Sequence, residues 1–453
     1  MQIIRDTSAI TPEPCVATIG FFDGVHAGHR YLIQQVKEIA AAKGLRSALV
    51  TFPVHPRKVM NVEYRPELLT TPEEKISLLA DIGVDYCLML DFTPEISRLT
   101  AREFMTQLLK ERYQVKYLVI GYDHRFGHNR SEGFEDYVRY GKEIGIEVIR
   151  AKAYTSNIEI GNEPNIPVSS SLIRKLLHEG EVSLAAHCLK YEYFLDGIVV
   201  GGYQVGRKIG FPTANLRVDD PDKLIPADGV YAVWVTFDGK TYMGMLNIGV
   251  RPTIDNGPNR TIEVNILHFH SDIYDKFIRL TFVKRTRPEL KFSSIDELIT
   301  QLHKDAEETE TILKAYEKLP TLKKEKYFRT WITRILINEC KGILRKRKNV
   351  IPYEEYMDNM KMTEEDRYSH LYMAIMVLPE DLRVLVTLYY LEGFSLKEIS
   401  EALDIPEGTI KSRLSRAREF LKAQLSDEEE KRPMPGKNSK LSKRITGKGK
   451  MSC

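Results

Sequence analysis

Through the first 187 residues, hydrophobic and polar positions follow two alternating periods. CVATIG at 15–20, RSALVTF at 46–52, DYCLML at 85–90 and YLVIG at 117–121 are short apolar runs that read as buried strands. Between them, Ala27 to Ala42 places Leu32, Ile33, Val36 and Ile39 near helical spacing, and Glu73–Leu79 and Arg102–Lys110 read as further helices. Strand–helix repetition predicts a parallel sheet with its ligands at the carboxyl ends of the strands. Near Tyr193 the pattern changes. YFLDGIVVGG, GVYAVWVTF, KTYMGMLNIGV, RTIEVNILHF and FIRLTFVKR are β-branched or aromatic runs bounded by Gly, Pro, Asn or Asp. They predict a barrel or sandwich over 188–316. Ser294–Tyr316 reads as its closing helix, with Ser293 or Ser294 as N-cap.

After Glu317 the strand pattern vanishes. The stretch 317–350 reads as a basic amphipathic helix, 351–377 as an acidic linker, 378–427 as several short helices, and 428–453 as a disordered Lys/Gly/Ser/Pro tail. Charge sharpens this division. The chain carries +3 overall, yet Lys318 to Cys453 holds 28 Lys and Arg against 20 Asp and Glu, a net +8. The front is therefore mildly acidic, and nucleic acid is a candidate partner only for the back. No apolar run reaches the roughly 18 residues of a membrane span, and the first residues lack the pattern of a signal peptide, so no membrane partner is expected. Five scattered cysteines, with no CxxC pair, suit neither a disulfide framework nor a structural zinc site and point to a reducing cytoplasm.

Candidate chemistry concentrates first in Gly20-Phe21-Phe22-Asp23-Gly24-Val25-His26-Ala27-Gly28-His29, where a strand gives way to a helix. Gly20, Gly24 and Gly28 let backbone approach a phosphate, and a helix N-terminus offers unpaired N–H groups. His26 and His29 share a helix face and can donate hydrogen bonds to a pentavalent phosphate transition state. Thr51-Phe52-Pro53-Val54-His55-Pro56 and Gly121-Tyr122-Asp123-His124-Arg125-Phe126-Gly127 follow later strands, and converge on the same crevice. Ser169-Ser170-Ser171-Leu172-Ile173-Arg174 precedes a helix and suits a polyphosphate.

A second constellation lies in the strand-rich segment: Gly206-Arg207 and Gly210-Phe211-Pro212-Thr213-Ala214-Asn215. A glycine-dense loop wraps phosphates. The Thr213 hydroxyl and Asn215 carbonyl are hard oxygen ligands for Mg²⁺ beside ATP. Glu263, with Ile262 and Val264 on the opposite strand face, is placed to take a proton from an attacking alcohol.

The G-x-F-D-G-V-H-x-G-H, G-x-D-x-x-F-G and S-S-x-x-I-R blocks, in this order, resemble the adenylyltransferase module of bacterial bifunctional riboflavin kinase/FAD synthetases over residues 12–187. G-R-x-x-G-F-P-T-A-N, N-I-G-x-R-P-T at Asn247–Thr253, E-V-N at Glu263 and Arg287-Pro288-Glu289-Leu290-Lys291-Phe292 resemble its kinase module over 188–316. The resemblance implies a Rossmann-like α/β nucleotidyltransferase fold, then a six-stranded β-barrel. It implies riboflavin, FMN and ATP as substrates and Mg²⁺ as the metal. His26 and His29 would hold the ATP phosphates, Asp123 would lie near the nucleotide, and Ser170, Ser171 and Arg174 would form a mobile phosphate loop. Thr213 and Asn215 would ligate Mg²⁺, Glu263 would act as base, and Arg287 would sit near the flavin. The chain departs from the family at Pro53-Val54, where D-P is usual, and at Asn265, where His is common.

The back of the chain presents Phe394–Ile405 and Pro406–Arg418 as helix, turn, helix, completing an all-α third part. Thr409, Lys411, Ser412, Arg413 and Arg416 can face a major groove while Ile410, Leu414 and Ala417 pack inward. This part resembles region 4 of extracytoplasmic-function sigma factors, and residues 326–348 resemble the end of their region 2. Promoter DNA and RNA polymerase are the partners the resemblance implies. Two functions thus stand open: a two-site flavin enzyme carrying a helix-turn-helix appendage, or a DNA-binding regulator with a flavin-sensing front.

Overall fold

The structure, a computed structural model, describes residues 1–5, 12–61, 63–121, 124–156, 166–202, 205–253, 257–319, 374–375 and 377–430. The amphipathic stretch 320–350, most of the acidic linker, the tail from 431, Asp123, Cys340 and Cys453 lie outside the described residues. The chain divides into two compact units, Met1–Tyr316 and Glu317–Cys453.

The first unit begins with a six-stranded parallel sheet of β1 (Gln2–Arg5), β2 (Cys15–Ile19), β3 (Arg46–Thr51), β4 (Tyr86–Met89), β5 (Val115–Ile120) and β6 (Glu147–Arg150). Their order is β1-β4-β3-β2-β5-β6. β2 is buried along its whole length, which explains its unbroken apolar run. The order turns back on itself between β2 and β5, so the crevice beyond their carboxyl ends is the topological switch point where such sheets bind ligands. The edge strands β1 and β6 escape the apolar-run criterion because each has only four residues and exposed polar ends. Arg102–Lys110 is helical throughout, one α-turn over Ala101–Glu103 passing into a π-helix over Phe104–Arg112.

Helices α1 (Ala27–Lys43) and α2 (Pro56–Met60) start at the crevice, and α3 (Pro72–Ile82) follows. Thr71 and Glu74 close a capping box on α3, a device that contributes about 1 kcal/mol. Helices α4 (Phe134–Ile144), α5 (Ser170–Glu179) and α6 (Val182–Leu189) follow. The apolar faces of α5 and α6 do not join the core of the sheet. Ile173, Leu176, Leu177, Val182 and Leu189 share a core with Leu195, Val233, Leu246, Ile262 and Leu280 of the barrel that comes next.

That barrel is closed, in the order β10-β11-β8-β7-β12-β9. Its strands are β7 (Phe194–Val200), β8 (Ala214–Arg217), β9 (Gly229–Phe237), β10 (Lys240–Thr253), β11 (Gly257–Ile266) and β12 (Phe277–Arg287). β8 lies inside the glycine-rich motif, where turn residues mask it at the level of sequence. Helix α7 (Ile295–Lys318) closes this part, with Ser294 Oγ accepting the Glu297 amide at 3.2 Å.

The second unit contains α8 (Glu380–Val386), continued by π-type turns over Thr387–Leu391, then α9 (Leu396–Leu403) and α10 (Glu407–Glu430). The last helix thus runs three residues into the stretch read as tail. Leu382, Leu385, Phe394, Ile399, Ile410, Leu414 and Ala417 form its core.

Candidate active sites

The first site is built on a strained turn. Between β2 and α1, Phe22 (φ 55°), Gly24 (φ 76°) and Val25 (φ 39°) all adopt positive φ, and for the two non-glycine residues this costs of order 1–3 kcal/mol each. A Cβ at Gly24 would meet Leu69 Cδ1 at 2.7 Å, so only glycine fits. The turn delivers His26 as the N-cap of α1, its Nδ1 accepting the His29 amide at 3.4 Å. The two imidazoles stack at 3.6 Å. Burial first, then the charge of Arg174, pushes the His26 pKa down to about 4. Burial first, then His26, His124 and Lys75, pushes His29 well below the usual imidazole range. Both rings are therefore neutral donors at neutral pH. His29 Nδ1 is buried without a hydrogen-bond partner among the described residues, as expected of a group that meets a ligand.

These residues line a cleft of about 560 Å³ at the switch point, together with Gly20, Phe22, Asp23, Gly28, His55, Ser170 and Arg174. The structure thus brings most of the expected set together, with Gly121 and His124 of the block after β5, and adds Lys152 and Tyr154. Two residues stand apart: Gly24 and Ser171 are not on the cleft wall. Asp23 is 3 % exposed and already occupied. Its Oδ1 accepts the Leu69 amide at 2.9 Å and the Thr70 amide at 3.1 Å, and its Oδ2 accepts Arg174 Nη2 at 2.5 Å. Arg174 Nε also donates to the Glu67 carbonyl at 2.6 Å. Asp23 is thus the residue that aims Arg174, and Arg174 supplies the positive charge at the cleft. Ser170 Oγ donates to the Asp23 carbonyl at 2.9 Å, and Ser169 caps α5. His55 caps α2, and burial first, with Arg57, Arg174, Lys75 and Arg130 behind it, lowers its pKa to about 4.

Lys75 is a residue the sequence pattern hid. Its ammonium donates to the carbonyls of Phe21 (3.1 Å) and Phe52 (2.8 Å), tying together the loops after β2 and β3. Burial lowers its pKa to about 8.

The second site occupies the barrel. Asn247, Gly249, Thr261 and Glu263 line one cavity of about 330 Å³. They alternate with the core residues Leu246, Ile248, Ile262 and Val264, so this cavity lies on the outer face of β10 and β11, where Leu298, Leu302 and Asp305 of α7 roof it. A second cavity of about 360 Å³ is lined by Arg207, Pro212, Val264, Ile266, His270 and Asp272. Thr213 lines both, and its hydroxyl donates to Glu263 Oε2 at 3.2 Å. Asn215 pairs directly with Glu263 across the ladder, which puts their side chains on one face. Gly206 lines the outer cavity; a Cβ there would stand 2.2 Å from the Phe211 carbonyl, so the loop closes only over glycine. Gly210 and Asn215 are not on either wall. Asn265, in the position where His is common, donates to the Pro212 carbonyl at 2.7 Å and so fixes the strand of the Thr213 loop. Arg287 reaches the outer cavity but is held by Asp305, with Nη2–Oδ2 at 2.6 Å and Nε–Oδ1 at 2.9 Å. Asp305 is a second residue hidden from the sequence, 18 positions away on the closing helix.

In the second unit, Ser395 and Glu398 form a capping box at α9, and Asp404 turns the chain at φ 56° into α10. Ile410, Leu414 and Ala417 are buried as expected. Lys411, Ser412 and Arg416 are exposed and Thr409 and Arg413 half-buried. Ser412 Oγ donates to the Thr409 carbonyl, and Arg413 lies 3.9 Å from Asp381.

Comparison with known proteins agrees with this geometry. Residues 8–162 match the FAD synthetase family, 189–313 the riboflavin kinase family and 370–421 the sigma-70 region 4 family. Bifunctional riboflavin kinase/FMN adenylyltransferases from Listeria monocytogenes and Escherichia coli are similar. The first is 37% identical over 65% of this chain and 91% of its own length, the second 36% identical over 67% and 96%. A crystal structure described as a macrolide-efflux protein from Streptococcus pneumoniae superposes with a TM-score of 0.61 at 33% identity, covering 68% of this chain and 98% of that one. No described helix here is long and apolar enough to cross a membrane. The chain belongs to the bifunctional riboflavin kinase/FMN adenylyltransferases, and carries a sigma-70 region 4 segment behind that enzyme.

Proposed function

We propose that the two reactions of the family run in the two sites as follows. In the barrel, riboflavin lies in the outer cavity under α7 and ATP in the other, with Thr213 and Glu263 at the seam. Glu263 takes the proton of the flavin's primary alcohol as its oxygen attacks the terminal phosphorus of ATP, giving FMN and ADP. Thr213 and Asn215, with Glu263 adjacent, offer the oxygen donors that suit Mg²⁺, which would neutralise phosphate charge when bound. Gly206, Arg207, Gly210 and Pro212 form the phosphate loop, and Arg287 orients the flavin side of the pocket. In the α/β cleft, a phosphate oxygen of FMN attacks the α-phosphorus of a second ATP, and pyrophosphate leaves. His26 and His29 donate hydrogen bonds to the phosphates, and Arg174 stabilises the charge that accumulates. Gly20, Phe22, Gly28, His55 and Ser170 complete the nucleotide surface.

The observation that carries this reading is that two sets of side chains suited to phosphate occupy separate cavities: the stacked His26 and His29 with Arg174 in one, and the Thr213–Glu263 pair in the other. Incubating the protein with riboflavin, ATP and Mg²⁺ in conditions resembling a bacterial cytoplasm, then separating flavins by chromatography, is expected to show FMN first and FAD after it. Folded protein that yields neither overturns the reading.

For the second unit we propose promoter-type DNA as ligand, with RNA polymerase as the partner it would serve. The exposed Lys411 and Arg416 on α10, flanked by Thr409, Ser412 and Arg413, support it. Binding of residues 318–453 to duplex DNA is expected to weaken by about 10-fold or more between 50 and 200 mM salt. Unchanged mobility of DNA at 50 mM salt counts against a nucleic-acid role.

A further inference from the structure

Besides the packing of α5 and α6, a short stretch of backbone pairing ties the adenylyl part to the barrel. Leu68, in the connection between α2 and α3, forms a parallel bridge with Lys223, which lies between β8 and β9 of the barrel. The Leu68 amide donates to the Asp222 carbonyl at 2.7 Å, and the Leu224 amide donates to the Leu68 carbonyl at 2.8 Å. The Lys223 ammonium then crosses back. It donates to the Leu69 carbonyl at 2.9 Å and to Glu74 Oε2 at 2.5 Å. Both side chains are nearly sealed from solvent, at 1% and 5% exposed, and Lys223 rests 4.7 Å from the Tyr193 ring. A buried pair of this kind contributes little net stability, so its value must lie in what it holds in place.

What it holds is the aim of Arg174. Lys223 fixes Leu69 and the first turn of α3. The Leu69 and Thr70 amides hold Asp23 Oδ1, and Asp23 Oδ2 holds Arg174. Lys75, next to Glu74 on the same turn, holds the Phe21 and Phe52 carbonyls, the first of these residues on the cleft wall. We infer that Lys223, a residue of the kinase module, is a positioning residue for adenylyl transfer, acting through Leu69 and Glu74 on the Asp23–Arg174 pair. It lines neither barrel cavity, so phosphorylation of riboflavin does not depend on it. This inference rests on the adenylyl-transfer reading of the α/β cleft.

The test compares wild type, Lys223→Met and the double variant Glu74→Gln/Lys223→Met in the full chain. FAD formation from FMN, FMN formation from riboflavin, and thermal unfolding are measured on the same samples. Lys223→Met is expected to lower kcat for FAD formation by about 10- to 100-fold, the scale set by a displacement of about 1 Å in a phosphate-binding group. KM for FMN and the kinase rate stay within threefold of wild type. The double variant removes the stranded Glu74 charge and recovers thermal stability, yet its FAD formation stays low because the bond to the Leu69 carbonyl is still missing. Recovery of FAD formation along with stability in the double variant makes the pair merely structural and overturns the inference. So does a wild-type rate in the single variant. If wild type itself makes FMN but no FAD, the adenylyl-transfer reading falls, and this inference with it.

Discussion

His26→Ala is expected to slow conversion of FMN to FAD by roughly 10²- to 10³-fold, the usual loss for one preorganised donor to a transition-state oxyanion, while FMN formation from riboflavin continues at the wild-type rate. The separation follows from the geometry: His26 lines the α/β cleft and neither barrel cavity. Alanine also removes the cap that His26 Nδ1 places on α1, at a cost of about 1 kcal/mol. His26→Asn keeps an acceptor at that position, and so separates the cap from the chemistry. If the cap were all that mattered, asparagine would restore FAD formation. FAD formation within threefold of wild type in the alanine variant refutes the role of His26. The pH profile gives a further check. Burial holds His26 near 4 and His29 well below the usual imidazole range, so neither ring gains a proton in the ordinary histidine range. The adenylylation rate should cross the ordinary histidine range near 6.5 without a break from either ring, and an acid limb centred there would mean that a charged imidazole is needed.

The way this site was legible in the sequence shows what pattern can and cannot carry. The glycines and histidines of 20–29 are adjacent in the chain, and their context of strand end and helix start is itself a sequence signal. Asp23 belongs to the same block and was read as part of the phosphate surface. Its partners, Leu69, Thr70 and Arg174, lie 46, 47 and 151 positions away, and only the fold reveals that it acts on an arginine. Lys75 was invisible for the same reason: its acceptors are backbone carbonyls of Phe21 and Phe52, which have no signature in side-chain identity. The sequence likewise marks a helix start at Ser169–Arg174 without naming what that helix meets, and its apolar face packs into the barrel core. The consequence is functional. The helix that presents Arg174 to one site is anchored in the module that houses the other.

Glu263→Gln is expected to have the opposite selectivity. Kinase kcat should fall by about 10²- to 10⁴-fold, the range of a lost general base, with KM for riboflavin little changed, because the carboxylate acts on the alcohol proton as the bond to phosphorus forms. Glutamine is the informative replacement. It preserves the size of the side chain and an acceptor for the Thr213 hydroxyl, which now donates to Glu263 Oε2 at 3.2 Å, and removes only the basicity. A Thr213→Ala variant that keeps the carboxylate serves as the comparison: it should alter the dependence on Mg²⁺ concentration more than the rate at saturating metal. Conversion of supplied FMN to FAD should be untouched by Glu263→Gln, since no residue of β11 lines the α/β cleft. A kinase rate near wild type in this variant removes Glu263 as the base and returns the role to another group of the outer cavity, where Glu289 is the other candidate carboxylate because Asp305 is paired with Arg287. The two substitutions together therefore divide the enzyme along its cavities: one stops FAD while FMN accumulates, the other stops FMN while FAD still forms from FMN supplied in its place.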